Sequence, residues 1–143
     1  MELTTFSMVL RFTLQLEDQT TEFYRKLAAE SKSTQASELF ARFAENSGKR
    51  KKELERRARE SVDHSLLEPI SGIFEETYSN CAVDPSGTAK VDIVASAKKL
   101  EETMQKFYAE AGEKIKFVSN VSRLYSRYVQ DRAKALAALQ VLT

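Results

Sequence analysis

Both prolines of the chain, Pro69 and Pro85, and two of its four glycines, Gly72 and Gly87, fall between residues 69 and 87. The flanking segments, 1–68 and 88–143, contain only Gly48 and Gly112. Glycine and proline are the residues that interrupt regular backbone, so a chain that gathers them in its middle can run long helices on either side. The apolar pattern agrees. Phe6, Val9, Leu10, Leu16, Phe23, Tyr24 and Leu27 recur at helical three/four spacing and predict a first helix over about 5–31, with Thr4 or Thr5 as cap. Ala36, Leu39, Phe40, Phe43, Ala44, Leu54 and Ala58 predict a second over about 35–62. Val91, Val94, Ala97, Leu100, Met104, Phe107, Tyr108 and Ala111 predict a third over about 89–111, which Gly112 would end as the residue after its cap. Val118, Val121, Leu124, Tyr125, Tyr128, Ala135, Leu136, Leu139 and Leu142 predict a fourth over about 116–142. The connection over 63–88 is too long to be structureless, so a short helix is expected within 73–79. Two helical hairpins joined by one long crossover make an all-α four-helix bundle, one domain over 1–143, with the second and third helices parallel.

The two halves repeat. Glu17, Thr20, Phe23, Tyr24 and Ala28 match Glu101, Met104, Phe107, Tyr108 and Gly112 at one constant offset. A duplicated hairpin of this kind should pack about a pseudo-twofold axis and bring Glu17 and Glu101 toward each other. Each glutamate lies on the apolar stripe of its helix, and a carboxylate buried alone does not stay ionised. It needs a metal, a cationic partner or a proton.

Glu-x-x-x-x-x-Phe-Tyr, present twice, on the first and third helices of a split bundle, resembles the rubrerythrin-like branch of the ferritin-like superfamily. The resemblance covers residues 10–139. It implies a ferritin-like fold in which each such helix gives a carboxylate to a two-metal centre. It also implies that the second and fourth helices each give Glu-x-x-His, a spacing that points both ligands one way. This chain departs from that pattern. On the second helix the ligand positions fall on Ser47 and Arg50. On the fourth they fall on Arg132 and Ala135, or, in a register four residues earlier, on Tyr128 and Asp131. The only histidine, His64, falls at the end of the second helix, where the family has no ligand.

Glu17, Ser47, Arg50, Glu101 and Arg132 are therefore expected at former metal-site positions. Arg50 and Arg132 would neutralise the two glutamates, because a planar guanidinium can hold a carboxylate by two hydrogen bonds. The expectation is a centre without a cofactor, in a structural or interaction module rather than an enzyme. The alternative is a metal-dependent oxidoreductase that reduces peroxide or oxidises ferrous iron, with iron or manganese held by Glu17 and Glu101. Tyr24, Tyr108 and Met104 are read as core residues.

Other chemistry finds little footing. Lys and Arg total 22 against 21 Asp and Glu, a balance that demands neither nucleic acid nor anionic lipid. The basic run over 48–59, "GKRKKELERRAR", is interrupted by Glu53 and Glu55 and reads as a solvated helix face. A lone cysteine, Cys81, allows no intrachain disulfide and no multi-cysteine zinc site, and it reads as an incidental thiol. No glycine-rich phosphate loop and no Gly-x-Ser-x-Gly motif is present. No signal segment and no apolar run of membrane-spanning length is evident, so a cytoplasmic protein is expected, without a membrane partner. Self-association as a homo-oligomer, a dimer in the first instance, is expected through a helix face.

Overall fold

A computed structural model describes residues 1–60, 68–79 and 90–142, with side chains from residue 93 onward in the last segment. Four helices account for most of them: α1 (Phe6–Glu30), α2 (Thr34–Glu60), α3 (Lys90–Lys114) and α4 (Ser119–Gln140). The helices pair as two hairpins, α1 with α2 and α3 with α4. His64 and Cys81 lie outside the described residues, as does most of the rest of the crossover. No described helix is long and apolar enough to cross a membrane.

Thr5 caps α1, its hydroxyl accepting the Met8 N–H at 3.1 Å. The helix then buries Phe6, Val9, Phe12, Leu16, Phe23, Tyr24 and Leu27, one stripe at three/four spacing. Side-chain pairs fix the helix directions. Ser37 bonds the Ala28 carbonyl while Arg50 meets Glu17, so α2 runs back along α1. Tyr24 meets Glu101 while Glu17 meets Tyr108, so α1 and α3 are antiparallel too. It follows that α2 and α3 are parallel, the arrangement that requires a long crossover. One apolar cluster draws on all four helices and on Leu3, Ile70, Ile73 and Tyr78.

The described part of the crossover returns to the start of α1. Leu3 N–H bonds the Ile73 carbonyl at 2.8 Å and Ile70 N–H bonds the Thr4 carbonyl at 2.9 Å. Gly72 turns there with φ of 89°, a left-handed conformation that a Cβ would strain. The short helix expected within 73–79 is one 3-10 turn, Glu75–Thr77. Tyr78 fills the space below it, stacking edge-on against Phe107 and donating to Glu110 on α3.

Gly112 does not end the third helix, which continues to Lys114. Ala111 and Ile115 are both fully buried, so the apolar stripe carries the helix past the glycine. Gly112 instead permits close approach of α4: a Cβ built on it would stand 3.2 Å from the Cβ of Tyr125. The fourth helix consequently starts at Ser119, three residues later than its pattern predicts. Gly48 is different, with nothing within 4 Å of such a Cβ. Gly112→Leu is therefore expected to destabilise by ~1–3 kcal/mol through overpacking. Gly48→Ala is expected to stabilise by up to ~1 kcal/mol through helix propensity. Urea unfolding of the two variants checks both signs.

Candidate functional site

The polar residues of the bundle interior converge at one level. α1 supplies Glu17, flanked on its stripe by Thr13 and Thr20. Those hydroxyls donate to carbonyls of their own helix, Val9 at 2.7 Å and Leu16 at 2.8 Å, and that of Thr13 also lies 2.5 Å from the Tyr125 hydroxyl on α4. α3 supplies Glu101, between the buried Ala97 and Met104. α2 supplies Ser47 and Arg50, and α4 supplies Arg132. Glu17 and Ser47 are fully enclosed, Glu101 and Arg132 retain 1% exposure, and Arg50 retains 8%. Two carboxylates and two guanidinium groups thus share the bundle interior with no net charge among them.

Arg132 joins the two carboxylates. Its Nη1 donates to Glu101 Oε1 at 3.0 Å and Oε2 at 2.9 Å. Its Nη2 donates to Glu17 Oε1 at 2.8 Å and Oε2 at 3.0 Å. Of the two glutamates Arg50 bonds Glu17, through Nε to Oε2 at 3.0 Å, and its Nη2 donates to the Ser47 hydroxyl at 3.3 Å. Ser47 donates its hydroxyl to Glu17 Oε1 at 2.6 Å. The tyrosines then cross over: Tyr24 on α1 donates to Glu101 Oε2 at 2.6 Å, and Tyr108 on α3 donates to Glu17 Oε2. Each glutamate accepts from the repeat-matched tyrosine of the opposite helix, a pseudo-twofold arrangement. The charges are not shared symmetrically. Glu17 has both arginines and Glu101 has one.

Electrostatics follow the geometry. Burial by itself would raise the pKa of Glu17. The guanidinium groups of Arg132 and Arg50, then the hydroxyls of Ser47 and Tyr108, outweigh it and hold the carboxyl down at about 2. Burial opposes the charge on Arg132, and the two glutamates more than restore it, so the guanidinium stays protonated. Burial first, then the adjacent carboxylate, raises both Tyr24 and Tyr108 well above the usual phenol value, so both remain hydroxyl donors.

Of the two fourth-helix registers, the one on Arg132 and Ala135 meets the carboxylates, through Arg132. Tyr128 turns instead to Glu53, its hydroxyl 2.6 Å from Oε1, and packs between the guanidinium groups of Arg50 and Arg127. Asp131 is half-exposed and lies 3.9 Å from Arg50 Nη1. The crossed tyrosine contacts escape a reading of the stripes alone. The available signal was the spacing: Tyr24 and Tyr108 lie two helical turns after Glu17 and Glu101, on the same face.

The residues do not fit a metal pair. The groups that converge on Glu17 and Glu101 are N–H and O–H donors, and a guanidinium has no lone pair to give a cation. Arg132 also places a fixed positive charge between the two carboxylates, where iron or manganese would have to sit. Among the described residues no three His, Cys, Asp or Glu side chains gather as ligands. Comparison with protein-family models, with curated proteins and with solved structures returns no match.

Proposed function

We propose that this chain is a ferritin-like bundle of the rubrerythrin-like kind whose metal positions are taken over by glutamate–arginine contacts. In this reading it works as a structural or interaction module and not as an oxidoreductase. The observation that carries the proposal is the single guanidinium of Arg132 bonded to both Glu17 and Glu101. Catalysis at a carboxylate-bridged centre needs open coordination positions and an exchangeable ligand. A buried carboxylate whose oxygens already accept from guanidinium and hydroxyl donors offers neither. The crossed Glu–Tyr bonds support descent from a duplicated hairpin, since they place the repeat-matched residues of both halves in one centre.

Peroxide consumption and ferrous-iron oxidation test the reading. The purified chain is expected to give the rates of iron in buffer alone, unchanged by Glu17→Gln. Turnover above that background, abolished by Glu17→Gln in a variant that keeps its helical circular dichroism, would establish the oxidoreductase instead.

A further inference from the structure

A groove of about 1070 Å³ runs between α2 and α4 and reaches down to the buried centre. It stands at the top of the ~300–1,000 Å³ range of small-molecule sites. Nine Lys or Arg residues line it against four Asp or Glu, in a chain whose formal net charge is only +1. The excess is built by helical spacing. Arg42, Lys49, Lys52, Arg56 and Arg59 follow one another at steps of seven, three, four and three, which stack on one face of α2. That row extends ~25 Å at a rise of 1.5 Å per residue. Arg127 and Lys134 face it from α4.

Much of this charge is uncommitted. Arg127 is paired with Glu53 and Lys49 with Glu45. Arg42, Lys52, Arg59 and Lys134 form no ion pair among the described residues, and all four are exposed. At the floor, Arg50 and Arg132 back the groove with two more guanidinium groups. Arg132 also keeps one buried donor, Nε, without an acceptor among the described residues. A buried donor left without an acceptor is costly, so a ligand oxygen that reached it would gain more than an exposed contact.

We propose that the α2–α4 groove binds a chain of linked phosphates, as an inorganic oligophosphate or as the phosphate tail of a nucleotide. Linear repeated charge matches the row of cations, and arginine suits phosphate oxygens through its planar fork. Nucleic acid is the weaker match. Single strands are held by bases stacked on exposed aromatic faces. The aromatic residues lining this groove, Phe43 and Tyr128, are buried at 8% and 0% exposure. Duplexes are read by an element that enters their grooves, whereas these cations line a cleft. The inference concerns surface chemistry and does not depend on the ancestry proposed above.

Calorimetric titration with tripolyphosphate tests it, at low and at physiological salt, with adenosine triphosphate and a single-stranded oligonucleotide as further ligands. Saturable tripolyphosphate binding is expected, weakening as salt rises. Arg59→Glu and Arg56→Gln are each expected to weaken it roughly tenfold or more, the scale of one charge-assisted contact. Arg11→Glu, on the outer face of α1, is expected to leave it unchanged. Equal affinity for adenosine triphosphate means that the phosphates alone are read; tighter binding of it means that a nucleotide is the ligand, and both support the proposal. No saturable binding, equal losses in Arg59→Glu and Arg11→Glu, or an oligonucleotide that outcompetes both phosphates would overturn it.

Discussion

Arg132→Met is expected to destabilise the protein by ~3–5 kcal/mol, because it removes one partner of a buried ionic set and leaves a carboxylate uncompensated. For a chain of this size that corresponds to a melting temperature lower by roughly 10–15 °C. Methionine keeps most of the arginine stem volume, so the loss reports charge rather than a void. Glu101 is the residue stranded, since Arg132 is the one cation bonded to it among the described residues, while Glu17 still has Arg50. The double variant Glu101→Gln with Arg132→Met is therefore expected to recover much of the loss. It removes the stranded charge and leaves the neutral Glu17–Arg50 pair. A double-mutant cycle by urea unfolding measures this non-additivity. Simple addition of the two single losses would show that the groups do not act as one network.

Acid is expected to act on Glu17 in the folded protein. Its carboxyl has an ordinary value of 4.5 and is held at about 2 in the fold. A carboxyl whose folded pKa is depressed contributes stability that is present above its unfolded pKa. That stability is lost as pH falls toward the folded value. The window is thus from about pH 4.5 down to about 2. A shift of this size corresponds to about 3 kcal/mol. Unfolding free energies measured down through that window should fall more steeply for the native chain than for Glu17→Gln. Parallel curves for the two would show that the carboxylate is not the acid-sensitive group. Glu17→Gln is also expected to be less stable at neutral pH, because it leaves Arg50 without its buried carboxylate.

Much of this centre could be read in the amino-acid order, and the reasons are particular. The α1 stripe from Phe6 to Leu27 predicts its helix to within a residue at each end, because a buried face imposes period 3.6. Glu17 and Glu101 stand out because each interrupts such a stripe at the same place in a repeat. Ser47, Arg50 and Arg132 stand out only against the Glu-x-x-His pattern that the resemblance supplies. What eluded the sequence is tertiary. Arg132 serves two glutamates and Arg50 one, which depends on guanidinium placement across four helices. Gly112 reads as a helix end and is a point of helix contact, because a missing side chain looks the same in either role. The basic run over 48–59 reads as a solvated face. It becomes one wall of a groove because α4 sets Arg127 and Lys134 opposite, and no local spacing encodes that. The pairing of Leu3 with Ile73 joins segments too short to show any period.

Metal uptake tests most directly whether arginine has replaced metal at Glu17 and Glu101. The chain, purified without chelator, would be loaded anaerobically with ferrous iron or with manganese, desalted, and its metal counted per chain beside Glu17→Gln. Substoichiometric metal is expected in both proteins, at the same level. One equivalent held by the native chain and lost in Glu17→Gln would contradict it, since a cation could then displace the Arg132 guanidinium from between the two carboxylates.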